Sequence, residues 1–283
     1  MKIAVASGKG GTGKTTISAV LASYLDKQGH KVQAFDCDVE EPNLNLFLKA
    51  KIISQKDFFS VVPGVALEKC DSCLRCEKIC NFSAIVMVKD KPLIFPEMCH
   101  SCGGCFLVCS SGALSKKNRE VGIIEKGENS GLVYWGGKLK IGEAISPPLI
   151  KAVKENLDDS KINIIDCPPG TSCPVIEAVA DSDYIILVAE PTPFGLHDLK
   201  LAVALIKELG INFGVLINKS DVGDRGVLEF CEKEGIEVMA SIPNSEEIAR
   251  YYSKGDLVNK FIEEYSPELD QAFKIIKKRL KID

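Results

Sequence analysis

Ser7-Gly8-Lys9-Gly10-Gly11-Thr12-Gly13-Lys14-Thr15-Thr16 is the stretch from which the rest of the chain can be read. The apolar run Ile3-Ala4-Val5-Ala6 before it predicts a buried strand, and Ile17-Ser18-Ala19-Val20-Leu21-Ala22 after it predicts a helix ending near Gly29. Gly8 to Thr15 fit the pattern G-x-x-x-x-G-K-[ST]. In that pattern backbone N–H groups wrap a row of phosphates, the lysine, here Lys14, reaches the outer ones, and the Thr15 hydroxyl holds Mg²⁺. Gly8, Gly10, Gly11 and Gly13 permit the tight backbone path this requires, with Thr12 and Thr16 in the same cradle. The helix N-terminus adds its partial positive charge. A plain glycine-rich turn would need neither the strand before it nor the helix after it.

Composition sets the outer bounds. The 283 residues are 46% hydrophobic and carry a net charge of -4, which suits one large domain, or one with a small companion. No apolar run approaches the roughly 18 residues of a membrane span. Met1-Lys2 leads directly into the first strand without a cleavable signal, so the expected location is the cytoplasm. The mild acidic excess, without a clustered Lys/Arg patch, argues against nucleic-acid binding. Twelve cysteines in such a chain point to metal rather than disulfides, and eight of them fall between residues 70 and 109.

Those eight form a repeat. Cys70-x2-Cys73-x2-Cys76-x3-Cys80 is followed by Cys99-x2-Cys102-x2-Cys105-x3-Cys109, the same array displaced by 29 residues. The echo continues past the thiols, since Ser83-Ala84-Ile85 matches Gly112-Ala113-Leu114. Zinc held by four cysteines is the alternative, but it usually takes two close pairs per metal. Three cysteines on one tight loop with a distant fourth suit the corners of an iron-sulfur cube. The arrays resemble a two-cluster bacterial-type ferredoxin, in which the fourth cysteine of each array ligates the other array's cluster. That resemblance implies one [4Fe-4S] cluster on Cys70, Cys73, Cys76 and Cys109, and a second on Cys99, Cys102, Cys105 and Cys80. Asn81 and Ser110 stand where ferredoxins usually have proline, a departure that bears on turn rigidity, solvent access and potential.

Lys9, five positions before Lys14, makes the first stretch K-G-G-x-G-K-T-T, which resembles the deviant P-loop of the MinD/ParA/nitrogenase-iron-protein class of ATPases. The resemblance implies that Lys9 crosses a subunit interface to the partner's phosphates, so that nucleotide binding and dimerisation are coupled. The run Lys31-Val32-Gln33-Ala34-Phe35 predicts a strand entering Asp36-Cys37-Asp38. By the class pattern, which Asn43-Leu44 continues, Asp38 is the base or water-positioning group and Asp36 supports Mg²⁺ through water. Turn or helix-cap acids are the alternative for both. Ile162-Asn163-Ile164-Ile165-Asp166 is an apolar strand ending on an acid, so Asp166 is expected to support Mg²⁺ through its water shell. The following Cys167-Pro168-Pro169-Gly170-Thr171 is similar to the second switch of Mrp-like and MinD-like ATPases. Cys173 sits at the offset where the nitrogenase iron protein holds a cluster shared between subunits, but no second ligand accompanies it. Cys37, Cys167 and Cys231 read as small core residues.

Tyr184 to Ala189 and Phe213 to Ile217 predict further strands, with an amphipathic helix from Leu196 to Leu209 between them. The second strand ends on Asn218-Lys219-Ser220-Asp221, the N-K-x-D that also marks guanine recognition in GTPases. In the MinD-like class an asparagine here binds adenine, so Asn218 and Asp221 are assigned to the base, with ATP favoured over GTP through Lys9. The loop at Pro243, after a strand over Ile236 to Ala240, is expected to close over it. Val121 to Ile124 and Leu132 to Trp135 predict strands, Gly136 to Gly142 a turn with a short strand, and Pro147 the start of a helix. Leu269, Phe273, Ile276 and Leu280 share one face of a C-terminal helix whose flanking lysines allow a membrane reading, with packing the simpler one.

The expected fold is α/β, a mostly parallel, doubly wound P-loop NTPase sheet of the deviant Walker A class with a small inserted ferredoxin-like domain. Residues 1–63 and 116–283 form the ATPase and residues 64–115 the insertion. The implied activity is slow ATP hydrolysis with Mg²⁺, nucleotide state and dimerisation gating electron transfer through two [4Fe-4S] clusters, with metallocofactor assembly as the candidate process. The implied partners are a second copy or a similar ATPase, and a redox or metallocofactor-assembly protein. An iron-sulfur cluster or metal carrier, and a MinD-like positioning protein, are the alternatives.

Overall fold

The computed structural model describes residues 1–282. The chain opens with β1 (Lys2–Ala6), α1 (Lys14–Lys27), β2 (Val32–Asp36), the single turn α2 (Leu44–Phe47) and a long strand β3 (Lys51–Val65). The cysteine-bearing segment follows, with α3 (Arg75–Ile79), β4 (Ile85–Val88), β5 (Lys91–Ile94) and α4 (Gly104–Val108). Next come β6 (Leu114–Asn129), β7 (Leu132–Leu139), α5 (Pro147–Lys154), β8 (Ile162–Asp166), α6 (Cys173–Val179) and β9 (Tyr184–Ala189). The chain continues through α7 (Pro193–Leu209), β10 (Phe213–Asn218), α8 (Gly226–Glu234), β11 (Val238–Ile242), α9 (Glu246–Ser253) and α10 (Leu257–Leu280).

One sheet runs in the order β11-β10-β9-β1-β8-β2-β7-β6-β3. Every neighbouring pair from β11 to β7 is parallel, whereas β6 and β3 run antiparallel at the far edge. The central strands are apolar on both faces because helices cover both. In β1, Ile3 and Val5 join a core with α1 and α10, while Ala4 and Ala6 face a second core with α5, α6, α7 and α8. Leu269, Phe273 and Ile276 of α10 lie buried in the first core, which accounts for the apolar face of that helix by packing. No helix among the described residues is long and apolar enough to cross a membrane.

The parallel arrangement brings the C-terminal ends of β1, β2, β8, β9 and β10 to one edge, where an open α/β sheet places its ligands. Ser7 to Gly13, Asp36, Asp166, Glu190 and Asn218 all meet there.

The largest departure from the sequence reading lies at the opposite margin. No strand was expected over 51–63, and only Val121 to Ile124 of β6 was anticipated. Instead β3 and β6 form a long two-stranded ribbon in which exposure changes along each strand: Ile53 to Asp57 of β3 and Ser115 to Asn118 of β6 are exposed, whereas Ser60 to Gly64 and Val121 to Gly127 are buried or half-buried, so neither strand shows a clean alternation to read. Pro63 is tolerated because β3 is an edge strand with a single neighbour. The cysteine segment leaves and rejoins this ribbon at the paired positions Val65 and Leu114. Within it the backbone repeats as the sequence does. Single turns at Leu67–Lys69 and Pro96–Met98 precede α3 and α4, and left-handed residues recur at Ser72 and Ser101, Leu74 and Gly103, and Ser83 and Gly112.

A second departure concerns Gly136 to Gly142. Gly136, Gly137, Lys138 and Leu139 continue β7 rather than turning. A Cβ on Gly136 would stand 1.9 Å from the Tyr134 hydroxyl, and one on Gly137 would stand 2.7 Å from Val39. Gly136 therefore makes room for the Tyr134 ring and Gly137 for the loop after β2, whose Val39 carbonyl accepts the Leu139 N–H at 2.8 Å.

Candidate functional site

The loop after β1 turns into α1 at Gly13, whose φ of 93° places it in the left-handed region where only glycine is unstrained. A Cβ there would also lie 2.4 Å from the amide nitrogen of Asn218. That nitrogen donates to the Thr12 carbonyl at 2.8 Å, so the end of β10 clamps the loop directly.

Lys14 is buried, with Nζ 3.1 Å from Asp166 Oδ1, 3.6 Å from Asp38 Oδ2 and 3.3 Å from Thr15 Oγ1. Burial alone would lower its pKa, but Asp166 and Asp38 outweigh it and hold the amine above the usual lysine range. The lysine is therefore a fixed cation. Asp38 is raised as well: burial and the Asp166 charge push it up to about 6 against the pull of Lys14. The Thr12 hydroxyl and Asp166 Oδ2 are buried without a hydrogen-bond partner. Orphaned groups of this kind beside a left-handed glycine loop fit a bound triphosphate with a hydrated Mg²⁺.

Asp36 anchors the backbone of the loop that follows it. Its Oδ2 accepts the N–H groups of Asn43 and Leu44 at 3.0 and 2.9 Å, and its Oδ1 accepts that of Asp38 at 3.1 Å. Fully buried, it fastens the loop that presents Asp38, with Asp166, Lys14 and Asp38 as its charged neighbours. Two other groups were not anticipated. Ser18, one turn after Lys14 on α1, donates to Asp166 Oδ1 at 2.8 Å; its i+4 spacing from Lys14 was the available signal. Glu190, just past β9, pairs with Lys9 at 3.3 Å and with Lys219 on its other oxygen. Partial burial would raise Glu190, but Lys219 and Lys9 outweigh it and hold the carboxyl below the usual range.

Beside the loop lies a cavity of about 380 Å³, bounded by Gly11, Gly13, Thr16, Asn218, Pro243 and Tyr252. Its position and size suit a nucleobase with its ribose. Asn218 and Pro243 line it, whereas Asp221 does not: its carboxylate accepts the Asn244 N–H and holds the loop that forms the wall.

The cysteine segment contains two small cavities. Cys70, Cys73, Cys76 and Cys109 line one, and Cys80, Cys99, Cys102 and Cys105 line the other. Each fourth thiol comes from the opposite array because the two halves of the repeat pack against each other. Among the described residues no three His, Cys, Asp or Glu side chains converge where a single ion could be held. The thiols surround a volume instead. The Ser101 hydroxyl in the second wall is buried without a partner, a donor left for what the cavity holds. Cys37, Cys167 and Cys231 are buried, and Cys173 at the start of α6 is exposed.

The sheet and this loop define a P-loop nucleoside-triphosphatase. The family model for the CobQ/CobB/MinD/ParA nucleotide-binding domain matches residues 3–258, and the chain belongs to that family of P-loop ATPases. It is 30% identical over 265 residues to an uncharacterized protein of Methanocaldococcus jannaschii, covering 92% of each chain. It is 27% identical over 300 residues to an iron-sulfur cluster carrier protein of Aquifex aeolicus, covering 98% of this chain and 66% of that one. The septum site-determining protein MinD from Pyrococcus horikoshii, solved with Mg-ADP, superimposes with a TM-score of 0.60 at 20% identity, over 97% of this chain and 95% of that one. At that identity the likeness shows the fold.

Proposed function

We propose that this ATPase carries two [4Fe-4S] clusters on a ferredoxin-like insertion, and that nucleotide state with dimerisation gates electron transfer through them. The observation that carries the reading is the sorting of eight cysteines into two four-thiol cavities, on an arm continuous with the sheet that bears the phosphate loop. When bound, each cluster supplies a one-electron donor and acceptor. The chain's own residues do the rest. Backbone N–H groups from Gly10 to Gly13 take the phosphates, and Lys14 leaves Asp166 and Asp38 to meet them. That exchange frees Asp166 toward Thr15 and the Mg²⁺ shell and Asp38 toward the attacking water. Lys9 leaves Glu190 for the phosphates of a second copy or of a similar ATPase. Anaerobic purification with iron and sulfide analysis tests the loading, with about eight of each expected per chain. Cluster potentials and acceptor reduction with and without Mg-ATP test the gating, and a nucleotide-independent result would remove it.

A cluster carrier is the second reading, favoured by the relatives named iron-sulfur cluster carrier proteins at 26–28% identity. Against it stands the completeness of both thiol sets, since a transferred cluster needs ligands that let go. Incubating loaded protein with an apo-acceptor separates the two: carriage predicts loss of iron to the acceptor, whereas gating predicts its retention.

A further inference from the structure

The two thiol cavities are not equivalent with respect to the nucleotide. The one lined by Cys70, Cys73, Cys76 and Cys109 is enclosed entirely by residues 65–114. The other shares a wall with a larger cleft of about 640 Å³ that separates the arm from the ATPase body. Val61, Phe82, His100, Ser101 and Cys102 line both the cavity and the cleft. Phe82 and His100 are stacked at 3.7 Å within that wall. On the facing side stand Lys151 and Glu155 of α5, and Cys173, Ile176 and Glu177 of α6.

Helix α6 begins where the segment after Asp166 ends, and that segment is tied to the phosphate loop. The Gly170 N–H donates to the Ser7 carbonyl at 2.9 Å, and Gly170 sits at a φ of 98°. A phosphate that moves the Ser7 loop, or draws Lys14 from Asp166, therefore acts on both ends of 166–170, and α6 follows directly. No comparable contact reaches the cavity of Cys70, since its lining includes nothing from α5 or α6.

We infer that nucleotide state reaches only the cluster site of Cys80, Cys99, Cys102 and Cys105, through the cleft it shares with α6. The inference rests on the proposed function and specifies its route: the site of Cys70, Cys73, Cys76 and Cys109 is the insulated one, and the nucleotide changes the surroundings of the other. Electrons exchanged at the insulated site would keep their potential whatever the ATPase binds.

Redox titration of the anaerobically prepared holoprotein by electron paramagnetic resonance, with Mg-ADP and with Mg-ATP, tests it. The expected result is a shift of one cluster's midpoint and none of the other's. Cys102→Ser should remove the shifting component and Cys73→Ser should leave it in place. Because either variant can lose its cluster, a second measurement uses the native ligand set. A nitroxide on Cys173, the exposed thiol outside both arrays, reports the reduced cluster across the cleft by its spin relaxation, and Mg-ATP should change that rate. Equal shifts at both clusters, a shift confined to the insulated one, or an unchanged nitroxide would overturn the inference while leaving gating intact. No shift at either cluster, with ATP shown to bind, would overturn the gating proposal as well.

Discussion

The phosphate loop and the cysteine arm are organised in opposite ways. At the loop the chemical groups are already paired with one another: Lys14 with Asp166 and Asp38, Lys9 with Glu190, Asp36 with three backbone amides. Behind them stand two apolar cores, one on each face of the sheet. The arm has almost no core. Within 66–113 only Ala84, Ile85, Pro92 and Ala113 are buried apolar residues, while Leu67, Ile79, Val88, Leu93, Met98 and Leu107 are exposed. A ligand at the loop exchanges one set of partners for another inside a finished fold. In the proposed function, a ligand in the arm would supply the centre that the amino acids leave out.

The sharpest way to break this comparison is at Lys14. Lys14→Ala should abolish ATP turnover and leave the carboxylate of Asp166 buried without its counter-ion, a loss of about 3–5 kcal/mol. Phosphate release and chemical denaturation measure the two effects. A variant that turned over ATP would show that the paired network is not the catalytic one. Stripping iron with a chelator should act on the arm alone: protease cleavage should appear within 66–113 while the melting transition of the sheet persists. Protection of the apo-arm would mean that its backbone turns suffice without a ligand.

Smaller changes separate groups within the loop region. Asn218→Ala removes the clamp on Thr12 as well as a wall of the base cavity and should weaken nucleotide binding roughly 10- to 100-fold, about 1–3 kcal/mol. Asp221→Ala, which only loosens the Asn244 loop, should cost less, and calorimetric titration ranks them. Equal losses would return Asp221 to the base. The pH response is the mildest of the four. Because folding lifts the Asp38 carboxyl to about 6, its ionised form, the one able to take a proton from water, predominates above that value. Turnover should fall as pH drops through 6, and a Ser18→Ala variant, which removes one of the two donors to Asp166 Oδ1, should move that midpoint.

The sequence carried much of this because several signals were local. The strand, loop and helix around Lys14, the apolar run into Asp166 and the repeated cysteine spacing depend on neighbours in the chain, and Asn218 and Pro243 follow from their place after predicted strands. The backbone anchoring by Asp36 was not legible, because a buried acid beside Asp38 looks the same in sequence whether or not it binds its own backbone. Asp221 misled in the same manner, since N-K-x-D does not say which way the carboxylate turns. The ribbon of β3 and β6 was hidden because each strand passes from a run of exposed residues to a run of covered ones, with no regular alternation between its faces.

By itself, then, the sequence determined a phosphate loop on a parallel sheet and a cysteine array repeated once, with the exchange of the fourth thiol implied only by resemblance to ferredoxins, because glycine torsions, apolar runs and ligand spacing act over a few residues. Only the tertiary structure decided that Glu190 holds Lys9, that Asp36 serves the backbone, and that one thiol cavity faces α6 while the other is enclosed by the arm. Those relations join residues far apart in the chain, through close packing that no local pattern encodes.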